Sequence, residues 1–176
     1  MIVKLIAKAV LGIAIVMTTT ASANLEAVSK KVPKTEISAN DLNCLAQNIY
    51  FEARNQSQLG QIAVAHVVLN RVKDEAYPNS ICGVVKQAKL TSDGKIIKHR
   101  CQFSWFCDGT IKIPRDKKMW ESAKHVAYQA LKIYKVKDVT NGSTFYHATY
   151  VKPSWSKQLI KTLRIDDHIF YKRHPV

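Results

Sequence analysis

The chain has 176 residues, 47% of them hydrophobic and 23% charged, enough to bury one sizeable core and hardly two. Six Gly, five Pro and an aromatic content of 9% exclude a collagenous, low-complexity or wholly disordered chain. Against 13 Asp and Glu stand 27 Lys and Arg, a formal charge of +14 that suits a polyanionic neighbour: a surface, a wall polymer or nucleic acid.

The first segment narrows that choice. Lys4 and Lys8 precede an uncharged apolar run over residues 9–17, and the segment closes on Ala21-Ser22-Ala23. A basic start, a short apolar stretch and an Ala-x-Ala ending predict a secretory signal peptide over residues 1–23, cleaved after Ala23. The apolar run is well short of the ~20 residues that a spanning helix needs. The expected location is therefore outside the cytoplasm, in the periplasm or the extracellular wall. Removing Lys4 and Lys8 leaves 25 basic residues against 13 acidic ones, scattered rather than gathered in an arm. No nucleic acid is expected as partner, and an anionic wall or membrane surface fits better.

Residues 24–40 are polar, carry Lys30, Lys31, Pro33 and Lys34, and show no apolar period, so they read as a linker. From residue 41 the pattern changes. Leu42, Leu45, Ala46, Ile49, Tyr50 and Ala53 recur at helical steps, with Asn40 or Asp41 placed to cap. After a break at Asn55-Gln56-Ser57, where Ser57 can cap, residues 58–72 form a second helix. It is apolar over most of its surface and therefore central. A turn at residues 77–80 precedes a short third helix over 81–88, and the polar residues 90–100, with Ser92-Asp93-Gly94, read as a surface loop or hairpin.

Cysteines Cys44, Cys82, Cys101 and Cys107 all lie in the exported part, an even number in an oxidising compartment, so two disulfides are expected, with three connectivities open. There is no C-x-x-C pair and no H-E-x-x-H, so neither a metal nor another cofactor is expected. A cysteine hydrolase using Cys101 or Cys107 with His99 or His147 is the alternative that disulfide pairing would remove. Residues 101–109 are rich in aromatics and give no clear conformation. Residues 115–134 follow a helical period, 143–150 alternate as a strand, and 159–164 with 168–172 flank Asp166-Asp167 as a hairpin. The whole predicts a mainly helical α+β domain with a small late antiparallel sheet.

Glu52 carries the chemistry best. It follows Tyr50 and Phe51 on a helix whose apolar face must be buried, and a carboxyl held against aromatic rings has its charged form disfavoured. A carboxylic acid still protonated near neutral pH can give its proton to a glycosidic oxygen. The plain alternative is a solvated glutamate paired with Arg54 or surface lysines. His66, on an otherwise apolar helix, reads as a hydrogen-bonded core residue.

The runs LAQNIYFEAR at 45–54, GQIAVAHVVLNRV at 60–72 and YPNSICGVV at 77–85, continued by CQFS at 101–104, FYHA at 145–148 and PSW at 153–155, resemble the SleB/CwlJ-type cell-wall hydrolases. That resemblance covers residues 41–171 and implies a lysozyme-like transglycosylase fold, in a catalytic domain expected over residues 41–176. It also implies peptidoglycan glycan strands as partner and Glu52 as catalytic acid. It departs at one point: the family commonly reads Glu-Ala-Arg-Gly-Glu, where this chain has Asn55-Gln56, and Gln56 can hydrogen-bond but cannot take a proton. Ordinary glycosidases use two carboxylates, and none of Asp74, Glu75, Asp93 or Asp108 is tied to Glu52 by spacing. A lytic transglycosylase needs one, acting as acid and then as base, and is preferred to a muramidase that adds water. A non-catalytic wall-binding module of the same fold is the reading from another class. Gln102 and Ser104 are candidates for sugar hydroxyls, and Phe103, Tyr146 and Trp155 for apolar faces toward pyranose rings. His147 is a further substrate-binding candidate, but Tyr146 and His147 point oppositely on one strand, so at most one of them faces a cleft.

Overall fold

A computed structural model describes residues 37–110, 112–133 and 137–175. The expected signal peptide, and the linker up to residue 36, lie outside the described residues. Helix α1 is Ala39–Ala53. It starts earlier than expected, because the Ser38 hydroxyl accepts from the Asp41 amide and its carbonyl accepts from Leu42. The linker therefore stops short of residue 40, and Asn40 and Asp41 lie within the first turn rather than capping it. An acidic residue there suits the helix dipole.

Helix α2, Gln58–Lys73, is capped by Ser57, whose hydroxyl accepts from the Gly60 amide. Its nearly all-round burial has a direct cause: two cores share it. On one side Ala65, Val68 and Leu69 pack with Leu45 and Ile49 of α1 and with Val84 and Val85 of the short helix α3, Ile81–Val85. The same core takes Ala123, Val126, Ala127 and Ala130 of helix α4, Lys117–Ile133. On the other side Ala63 and Val67 pack against Phe170, with Tyr146, Leu163 and Ile165 around it. As expected, His66 is fully buried, and its Nδ1 accepts from the Val139 amide at 3.1 Å.

Helix α3 is shorter than the expected 81–88, because Ala88 is drawn into a two-stranded antiparallel hairpin of β1, Ala88–Leu90, and β2, Ile96–Cys101. The window with no clear conformation resolves into a 3₁₀ turn, Ser104–Cys107. Helix α4 begins two residues later than expected, because the Asp116 carboxylate accepts from the Met119 amide at 3.0 Å and caps it. Strands β3, Phe145–Ala148, β4, Ile160–Ile165, and β5, His168–Lys172, form an antiparallel sheet in the order β3-β5-β4.

All four cysteines are paired, Cys44 with Cys82 and Cys101 with Cys107, which removes the cysteine-hydrolase alternative. The first bridge ties α1 to α3, and the second closes the chain around the 3₁₀ turn. Among the described residues no helix is long and apolar enough to cross a membrane.

Candidate active site

The site forms where the last turn of α1 meets β3 across α2. Glu52 is half-buried, and the Tyr146 hydroxyl donates to its Oε2 at 2.9 Å. Beside them lies Arg71 of α2, only 5% exposed. Its Nε donates to the Thr144 carbonyl at 2.8 Å, just before β3, and its guanidinium stacks 5.2 Å from the ring centres of both Tyr77 and Phe103. A buried cation is costly unless it is bonded and stacked, and this one is both.

Burial pushes the Glu52 carboxyl above its ordinary value; the Tyr146 hydrogen bond and the charge of Arg71 pull the other way without cancelling it. Tyr146 is driven well above its ordinary value by burial and by the neighbouring Glu52, so it remains a proton donor in its hydrogen bond. Burial lowers the Arg71 guanidinium from its ordinary value, opposed by Tyr77, Tyr146 and Glu52. His168, edge-on to Tyr146 at 5.1 Å, is lowered by burial and favours its neutral form.

The aromatic neighbours of Glu52 are held in place by polar groups. Phe51 stacks on Trp105 with ring centres 4.7 Å apart. Trp105 in turn donates from Nε1 to Oδ1 of the buried Asn48, 3.1 Å away and one helical turn before Glu52. Glu52 opens into a small recess of about 100 Å³, lined also by Phe51, Arg54, Asn55 and Gln56. Gln56, standing where the family pattern has its second acid, turns to the β4–β5 connection: its Oε1 accepts from the Asp167 amide and its Nε2 donates to the Asp167 carboxylate.

Of the residues singled out in the sequence, Tyr146 is brought to Glu52, and the others are not shown to touch it. Phe103 is 3% exposed beneath Arg71, so it has no free face for a sugar; it is a core residue. His147 and Trp155 lie on the other side of β3, as strand alternation requires. His147 stacks on Tyr171 and its Nε2 is 3.0 Å from the Tyr171 hydroxyl, while Trp155 packs on Phe145, His147 and Tyr171. That satellite cluster is not at the carboxyl. Gln102 is exposed and lines a separate hollow with Gln87, Lys89 and Arg100, away from the recess at Glu52. Ser104 is exposed at the start of the 3₁₀ turn. Three of the four carboxylates left open by position are engaged elsewhere: Asp74 with Arg173, Asp93 with Lys95 and Asp108 with Lys112. Nothing in the sequence pattern singles out His168, and little singles out Arg71. The one available signal was a cation inside the apolar run of α2.

A helical α+β domain with a small sheet, and with a protonatable carboxyl at the end of its first long helix, defines a lysozyme-like fold. The chain belongs to the cell wall hydrolase family, whose model matches residues 55–171. That span begins after α1 and does not include Glu52. Among curated relatives, the spore cortex-lytic enzyme of Halalkalibacterium halodurans is 32% identical over 136 residues, 76% of this chain and 35% of that protein. The spore cortex-lytic enzyme of Bacillus cereus is 30% identical over 138 residues, 77% of this chain and 45% of that protein. The chain thus spans less than half the length of these relatives. Among solved structures, the catalytic domain of the Bacillus cereus SleB protein matches with a TM-score of 0.59 and 27% identity, covering 78% of this chain and 94% of that one. The catalytic domain of the germination-specific lytic transglycosylase SleB from Bacillus anthracis matches with a TM-score of 0.60 and 28% identity, covering 80% and 100%.

Proposed function

We propose that this exported domain cuts peptidoglycan glycan strands between N-acetylmuramic acid and N-acetylglucosamine, as a lytic transglycosylase. The supporting observation is the single carboxyl of Glu52, raised by burial and attended by Tyr146 and Arg71 rather than by a second acid among the described residues. Glu52 gives its proton to the glycosidic oxygen, and the bond to the muramic C1 breaks. The carboxylate so formed is steadied by the Tyr146 hydroxyl and the Arg71 charge. It then takes the proton of the muramic C6 hydroxyl as that oxygen bonds to C1, which closes a 1,6-anhydro ring and restores the acid. Water takes no part. The likeness to a structure described as a lytic transglycosylase supports the same reading. Ser104, exposed beside the aromatic wall, is available for sugar hydroxyls, and the basic surface holds the protein to an anionic wall or membrane surface.

Mass spectrometry of digested sacculi tests bond and chemistry together: muropeptides ending in anhydromuramic acid are expected, and reducing ends alone would indicate a muramidase. The Glu52→Gln protein should still pellet with sacculi but release nothing soluble. If the unaltered protein pellets and also releases nothing, it is a wall-binding module.

A further inference from the structure

Beside the recess of Glu52 lies a larger groove of about 590 Å³, between the end of α1 and the segment leading into α4. Phe51 and Arg54 line both, so the two hollows adjoin. Tyr50 forms part of its lining, and its hydroxyl accepts from the Asp116 amide at 3.1 Å, which pins the opposite wall to α1. Ile113, 66% exposed, offers an apolar flank, and Arg54 and Arg115 supply the charge.

The nearby acids do not neutralise that charge. The Asp108 carboxylate is bonded to Lys112 and Thr110, and the Asp116 carboxylate is occupied in capping α4. Among the described residues neither Arg54 nor Arg115 has a carboxylate partner. Arg54 donates to the Tyr50 carbonyl and lies over the Tyr50 ring, which restrains its guanidinium at the edge of the groove. Arginine is the side chain best shaped to hold a carboxylate through two parallel hydrogen bonds.

We infer that this groove is a subsite for the peptide stem of the glycan strand, with Arg54 and Arg115 taking its carboxylates and Ile113 its aliphatic parts. The inference rests on the reading of Glu52 as the cutting acid, because a stem is carried by the muramic residue next to the scissile bond. A strand lying across Glu52 would therefore bring a short, carboxylate-bearing peptide alongside the groove. On this reading the enzyme prefers strands whose stems are intact.

The test uses the Glu52→Gln protein, which leaves strands uncut, and measures its affinity for glycan strands with stems and for the same strands stripped by an amidase. Stem-bearing strands should bind about tenfold more tightly, and adding Arg115→Gln should erase that difference, while Arg115→Lys keeps part of it. Arg115 is exposed and precedes the cap of α4, so its replacement leaves the core untouched. Equal affinity for both strand types, or an Arg115→Gln effect that weakens both alike, overturns the subsite. Failure of the cutting reading would show differently, as no soluble fragment from either strand type with the unaltered protein.

Discussion

The hydroxyl of Tyr146 has two effects on Glu52, and they separate by measurement. It stabilises the carboxylate left after proton transfer, and it pulls the carboxyl down toward its ordinary value. Tyr146→Phe removes both. A hydrogen bond to a charged group contributes about 1.5–3 kcal/mol, so kcat should fall roughly ten- to hundredfold. With only burial and Arg71 left to set its acidity, Glu52 should hold its proton to higher pH, and the alkaline limb of the pH–rate profile should move upward. A limb that stays in place would mean that another group sets it. The same carboxyl links pH to stability. Its folded value lies above its unfolded one, so its favourable contribution is complete below the unfolded value of about 4.3 and is lost as pH rises through the folded value. Glu52→Gln should therefore melt a few degrees higher than the unaltered protein at pH 7, and the gain should vanish near pH 4. Calorimetry at the two pH values decides it.

One scale up, the connection between α1 and α2 is fastened to the turn between β4 and β5. The Asp166 carboxylate accepts from the Ser57 amide at 2.9 Å and from its hydroxyl at 2.7 Å, and so lies at the N-terminus of α2. Gly60 makes room for it: a Cβ there would stand 2.4 Å from Asp166 Oδ2. Asp166→Ala should cost about 1 kcal/mol, as loss of a helix cap does. Gly60→Ala expels the same carboxylate, so urea melts of the double variant should show a smaller loss than the two singles summed. The disulfides rank by the loops they close. Cys44–Cys82 spans 38 residues and Cys101–Cys107 spans 6, which gives about 4 and about 2 kcal/mol in the chain-entropy account. Replacing the first pair by alanine should depress the melting temperature more than replacing the second. These elements were unevenly legible in the sequence. The periods of α1, α2 and α4, and the pair of runs around Asp166-Asp167, specify their elements because burial on one face repeats every turn or every second residue. The start of α1 was misplaced because three neighbouring residues can all cap and only backbone geometry chooses Ser38. The burial of the Glu52 carboxyl was legible from the rings beside it, whereas its choice over a solvated glutamate rests on the resemblance to the family. Arg71 was not legible, because α2 faces two cores and no polar stripe marks the direction of the site. His147 and Trp155 pack together with Phe145 and Tyr171, a placement the sequence leaves open because an aromatic residue near a motif looks the same whether it lines a cleft or packs a satellite cluster.

Charge acts at the scale of the whole molecule. The formal excess of +14 is too large to be assigned to one site, and the exposed β1–β2 hairpin carries part of it, with Lys89, Lys95, Lys98 and Arg100 against Asp93. A polyanionic wall is felt beyond contact at low salt, where the screening length is about 10 Å at 0.1 M, and hardly at all at 1 M, where it is about 3 Å. Adhesion driven by this field should therefore weaken steeply with salt, while a strand seated in the groove of Glu52, held by stacking and half-buried hydrogen bonds, should respond less. Retention of the Glu52→Gln protein on sacculi, measured across that range, should fall at least tenfold. Reversing Lys89 and Arg100 to glutamate should lower retention at low salt and make no difference at high salt, because only the screened component has been touched. Retention that ignores salt would assign adhesion to the groove alone and leave the excess charge without a part in binding.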